Sequence, residues 1–119
     1  MPRSDMTILT SEERKVPILT IKGGVDLHVV QNLQDEVERL RNESHSSLII
    51  NMSLVTRIDS SSIGTLIAIQ DVYRKTEGTV ILSGLSDAVR RVMELTNVTE
   101  FFLITSSDEE ALQSLSAAS

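Results

Sequence analysis

Short β-type runs and helical runs alternate along this chain, and that alternation leaves few folds open. Val30, Leu33, Val37 and Leu40 recur at helical spacing, with Asp35 four residues before Arg39 on the polar face. Leu48-Ile49-Ile50 then reads as a short buried strand with polar flanks. Ile63, Leu66, Ile67, Ala68, Ile69 and Val72 mark a second helix, and Val80-Ile81-Leu82 a further strand. Val89, Val92, Met93 and Thr96 define a third helix, Phe101 to Ile104 a last strand, and Ala111, Leu112 and Leu115 a last helix. Ahead of these lie two β-rich runs, Met6 to Thr10 and Val16 to Lys22. The spacer Ser11 to Lys15 suits a turn and is too short for a helix, so the two runs are expected to pair antiparallel. Pro17 lacks an amide donor and predicts an edge or strand-start position.

The order is therefore β-β-α-β-α-β-α-β-α. Strands alternating with helices call for mostly parallel pairing through right-handed crossovers. The expected class is α/β, a mixed sheet of four to five strands packed with a single layer of amphipathic helices. Val30, Leu33, Val37, Ile49, Ile63, Leu66, Ile67, Ile81, Val92 and Phe101 are expected in its core. Punctuation agrees with the periods. Lys22-Gly23-Gly24 breaks the second run, Asp26 is placed to cap the first helix, and Arg39, Arg41 and Asn42 suit its end. Asp59 and the serines open the second helix, which ends near Gly78. Ser86 opens the third, and Ser107 with Glu110 forms a capping-box pair before the last.

At 119 residues the chain has the size of one domain, and residues 1–119 are read as a single unit. It has no cysteine, which excludes disulfides, thiolate metal sites and thiol catalysis together. A net charge of −6 opposes the phosphate neutralisation behind nucleic-acid binding, and three aromatics (Tyr73, Phe101, Phe102) make no stacking platform. The longest mostly apolar stretch, Ile63 to Ile69, falls far short of a membrane span, and Met1 to Asp5 lacks the apolar region of a signal peptide. A cytoplasmic protein is expected.

One segment stands apart for chemistry. In Arg57-Ile58-Asp59-Ser60-Ser61-Ser62-Ile63-Gly64, an acid and three hydroxyls lie between a buried strand and an apolar helix. One reading is a helix start with surplus capping groups. The other is a phosphoacceptor, since a seryl phosphate there meets free amides and the positive end of the helix dipole. A hydrolase does not fit: there is no G-x-S-x-G elbow, and an Asp directly before a Ser is not its base. His28, in a first helical turn, and His45, in a polar loop, are both expected to be solvated. Gly23-Gly24 is a turn signal and no phosphate loop, Arg90-Arg91 a solvated helix face, and Asp108-Glu109-Glu110 a helix first turn without metal. Asp26 follows a strand end in the same way as Asp59, and in a parallel sheet the strand C-terminal ends share one edge, where ligands and partners tend to approach.

These residues resemble a known family. Gly23-Gly24-Val25-Asp26 is similar to the G-x-[LV]-D element of STAS domains. Leu48 to Asn51, Ile58 to Ser61 and Ile63 to Leu66 resemble the family's central strand, loop and D-S-[ST]-G-[LI]-G signature. Val80 to Leu85, followed by Val89, Val92, Leu95, Thr96, Phe101 and Phe102, is similar to its C-terminal half. The match runs over roughly residues 6 to 115, in order and at the family's spacing. It implies a non-enzymatic, single-domain anti-sigma factor antagonist, phosphorylated on Ser60 by a serine kinase that is also the anti-sigma factor. A metal-dependent serine phosphatase reverses the step, and the unphosphorylated form binds the kinase and frees its client. The resemblance implies partner contacts from Asp26, Asp59, Ser61, Ser62, Ile63 and Gly64, with no cofactor, metal, nucleic acid or membrane. It also departs from the pattern, since Ser62 stands at the motif's first glycine. The alternative within the family is a scaffold subunit of a stressosome-like or lipid-transport assembly.

Overall fold

The computed structural model describes residues 8–43 and 45–117. β1 (Ile8–Glu13) and β2 (Val16–Gly24) form the expected hairpin, with Glu13 opposite Val16. Its turn is Arg14-Lys15 alone, both at positive φ (52° and 67°), the hand that matches the twist of paired strands. Most of the expected spacer is therefore strand. Met6 and Thr7, the start expected for that strand, lie outside the described residues. Pro17 sits at the second position of β2, before pairing with the next strand begins at Ile18. The glycine pair does not end β2; the ladder continues to Gly24 with shifts of register beside Lys22 and Gly24.

The chain continues as α1 (Leu27–Asn42), β3 (Ser47–Arg57), α2 (Ser60–Lys75), β4 (Thr79–Ser83) and α3 (Asp87–Leu95). A 3-10 turn (Thr99–Phe101), β5 (Leu103–Thr105) and α4 (Asp108–Ala117) complete it. The five strands stand in the order β1-β2-β3-β4-β5, antiparallel in the first pair and parallel thereafter. β3 runs to 11 residues, far beyond its apolar nucleus Leu48-Ile49-Ile50.

The expected single helix layer is wrong. Leu19, Ile21, Leu48, Ile50, Val80 and Leu82 pack against α1, α2 and α3 on one face of the sheet. Ile18, Ile49 and Ile81 point to the other face, where Ala111 and Leu112 of α4 cover them. Most of the expected core is buried, with two half-buried exceptions, Ile67 and Val92. Phe101 is a correction: it lies in the 3-10 turn, 55% exposed, and its neighbour Phe102 turns inward instead. Arg39 pairs with Glu36 and Glu43 and not with Asp35. His45 is not fully solvated; its ring is half-buried with Nε2 3.6 Å from Glu43 Oε1. The capping box at α4 is modified, because Ser107 Oγ accepts from the Glu110 amide while the Glu110 carboxylate accepts from the amide and hydroxyl of Ser106.

Parallel pairing sends every strand-to-helix connection to one edge. Asp26, Asp59, Ser86 and Ser107, whose side chains accept from the first turns of the four helices, therefore lie along the same rim of the sheet.

Candidate functional site

At the centre of that rim, the ends of β2 and β3 are locked together. Gly24 stands opposite Arg57, and the Val25 amide donates to the Arg57 carbonyl at 2.8 Å. A Cβ on Gly24 would come within 2.6 Å of the Arg57 guanidinium, the far end of an exposed side chain that lies over the glycine and would have to move aside. Two residues later the Asp26 carboxylate accepts from the Val29 amide at 3.0 Å, capping α1 while remaining exposed. His28 in the first turn of α1 is exposed, as expected.

The β3–α2 connection repeats the arrangement one strand over. Ile58 is buried and anchors the loop. Asp59 is extended (φ −120°, ψ 175°) and its carboxylate accepts from the Ser62 amide at 2.9 Å. The Ser61 hydroxyl donates to the same oxygen at 2.9 Å. The Ser62 amide foremost, with the Ser61 hydroxyl, holds the Asp59 carboxyl below its ordinary range. A firmly ionised carboxylate thus stands at the positive end of α2.

The three serines separate cleanly. Ser62 is 4% exposed, and its hydroxyl donates to the Val25 carbonyl at 3.4 Å, so it links the first turn of α2 to the loop carrying Asp26. Ser61 is exposed, with its hydroxyl committed to Asp59. Ser60, the first residue of α2, is exposed and its hydroxyl has no hydrogen-bond partner among the described residues. Ile63 is 2% exposed and belongs to the core. The side chains of Ser62 and Ile63 therefore do not present to a docking protein, and their expected direct contact is corrected to an internal role. Gly64 is exposed, and a Cβ there would meet nothing within 4 Å. Asp26, Asp59, Ser60, Ser61 and Gly64 are left as the open part of the site.

Arg57 opens the segment that stands apart in the sequence, yet nothing in the sequence assigns it a role. No motif marks it; only its position opposite Gly24 would have, once the strand register was known. Among the described residues no hydrogen bond joins the Ser60 hydroxyl to a base. Among the described residues no cluster of His, Asp and Glu could hold a metal ion, and no helix is long and apolar enough to cross a membrane.

Comparison with known proteins gives this geometry a context. The family pattern described as "STAS domain" matches residues 7–111. An anti-sigma-B factor antagonist of Staphylococcus aureus is 19% identical over 105 residues, which cover 88% of this chain and 97% of that protein. An anti-sigma factor antagonist from Mycobacterium paratuberculosis superposes with a TM-score of 0.78 at 23% identity, over 91% of this chain and 92% of the other. The Bacillus cell fate determinant SpoIIAA in its phosphorylated form superposes at 0.71 and 18% identity, over 91% and 98%. These two likenesses establish a common fold.

Proposed function

The chain belongs to the STAS domain family, and from that premise we propose that it is an anti-sigma factor antagonist switched by phosphorylation of Ser60. Its unphosphorylated form binds a serine kinase that doubles as the anti-sigma factor and so releases the client. A metal-dependent serine phosphatase restores that form. Residues 1–119 act as one non-enzymatic STAS domain in the cytoplasm. The observation that carries the reading is the state of the three hydroxyls: among the described residues Ser60 alone is both exposed and uncommitted, at a helix start open to a docking active site.

The output follows from electrostatics. A phosphate on Ser60 brings about −1.5 to −2 charges beside Asp59, which is already ionised. Any partner that buries this surface must then desolvate or oppose both groups. A loss of ~3 kcal/mol changes a dissociation constant by roughly a hundredfold, enough for a switch. Asp26 and Asp59 are proposed to orient Ser60 and meet the kinase, with Ser61 and Gly64 in the contact. Gly64 supports this role, because the fold itself does not need a glycine there.

The test is phosphosite mapping beside a pull-down with the cognate kinase. Ser60→Ala should bind the kinase persistently, and Ser60→Asp should bind it poorly. A phosphate on Ser61 or Ser62, or equal binding of the two variants, overturns the residue assignment. Absence of any phosphorylation points to the scaffold alternative.

A further inference from the structure

We propose that a groove between the end of β3 and α3 is a docking surface for an acidic segment of the partner that covers Ser60; this rests on the switch reading above. The groove has a volume of about 360 Å³ and is lined by Thr56, Arg57, Ile58, Asp87, Ala88, Arg91 and Val92. Its continuity with the candidate site is covalent, because Ile58 lines it and is followed directly by Asp59 and Ser60. A protein lying over Ser60 reaches it without a second contact region.

The arginines among the described residues divide by surroundings. Arg14, Arg39, Arg41 and Arg74 each hold a carboxylate. Arg57, Arg90 and Arg91 hold none among the described residues, although the chain carries 17 acids against 11 bases. Two of those three line this one groove. Asp87 is the single acid in the lining and pairs with neither. The lining therefore carries two cations against one acid on a molecule of net charge −6, an excess that favours a negative segment over this groove.

Burial decides between a small anion and a protein. Arg57 and Arg91 are both exposed, so water screens them and a free anion gains little. A docking protein excludes that water, and guanidinium–carboxylate pairs then form bidentate, dehydrated contacts. Ile58, Ala88 and Val92 add carbon surface that rewards a protein segment and not an ion.

The test uses the full chain in two arms. In the first, amide shifts are followed by NMR as a capped peptide of alternating glutamate and leucine is added, with a lysine–leucine peptide and inorganic phosphate as comparisons. Saturable shifts at residues 56–58 and 87–92 are expected with the acidic peptide alone. They should weaken about tenfold in the Arg57→Gln/Arg91→Gln variant and persist in Arg90→Gln, which lies outside the lining. No saturable shift, saturation by inorganic phosphate at lower concentration, or equal loss in Arg90→Gln overturns the proposal. This arm needs neither kinase nor phosphorylation, so a failed Ser60 assignment leaves its outcome readable. In the second arm, the double variant should bind the kinase that modifies Ser60 about tenfold more weakly, while Ser60 is still fully phosphorylated at saturating kinase. Unchanged affinity overturns the docking role and leaves the switch intact.

Discussion

Ser62 brings a hydroxyl into a sealed layer and ties α2 to the loop that carries Asp26. Ser62→Gly removes that hydrogen bond and places a flexible residue in the helix's first turn. It should destabilise the fold by ~1–2 kcal/mol in urea melts, the sum of one modest hydrogen bond and the helix cost of glycine. Unchanged stability would mean that the link is idle. Asp59 gives a pH dependence instead. Its carboxyl binds protons less readily when folded than when unfolded, so the unfolded chain takes up more protons in acid. The contribution is complete above the ordinary carboxylate range, near pH 4, and is lost as pH falls through the depressed folded value. Asp59→Asn keeps a good cap and removes the titration, so urea midpoints compared at pH 6 and pH 3 should fall less in the variant. Equal falls would refute the assignment. The aspartate caps were legible because a cap is a local matter of one side chain and the next turn. The burial of Ser62 was not, because three consecutive hydroxyls differ only in what another loop brings against them. Phe101 and Phe102 failed likewise: adjacent aromatics exchange roles when a 3-10 turn replaces the expected strand start.

Element types were legible from period, and one layer assignment was misread despite a signal in the sequence. A strand covered on one face alternates, whereas Leu48-Ile49-Ile50 is continuously apolar and so must be covered on both. α4 is the element that this pattern demanded on the far side. The helix is held there by more than Ala111 and Leu112. The Asp108 carboxylate, at its first position, accepts from Asn51 of β3 at 3.0 Å and from Ser83 of β4. Ser83 is fully buried, so its hydroxyl has no recourse to water if that acceptor is removed. Asp108→Ala should therefore cost ~1–3 kcal/mol, the range for a buried polar group left unsatisfied. The loss should be uneven. Amide exchange should accelerate across α4 more than in α1 or α2, whose packing lies on the opposite face. Uniform acceleration would show that α4 opens only with the whole domain.

Across the whole molecule, the arrangement of charge matters as much as its sum. A net charge of −6 spread evenly would repel any acidic surface, and with it the kinase segment proposed for the groove. The two arginines of the groove, unpaired among the described residues, let the protein remain acidic overall and still accept such a partner from one side. The same distribution argues against nucleic acid. Duplex binding draws its affinity from many basic groups tracking a phosphate backbone, each releasing counterions, and a pair of arginines beside Asp87 cannot supply that. Generic duplex DNA at physiological salt should therefore show no saturable binding in fluorescence anisotropy, and lowering the salt should rescue little. The Arg57→Gln/Arg91→Gln variant should behave the same way. Tight, steeply salt-dependent duplex binding that this variant abolished would mean that the rim reads phosphate and not carboxylate, and the partner proposed for it would have to change.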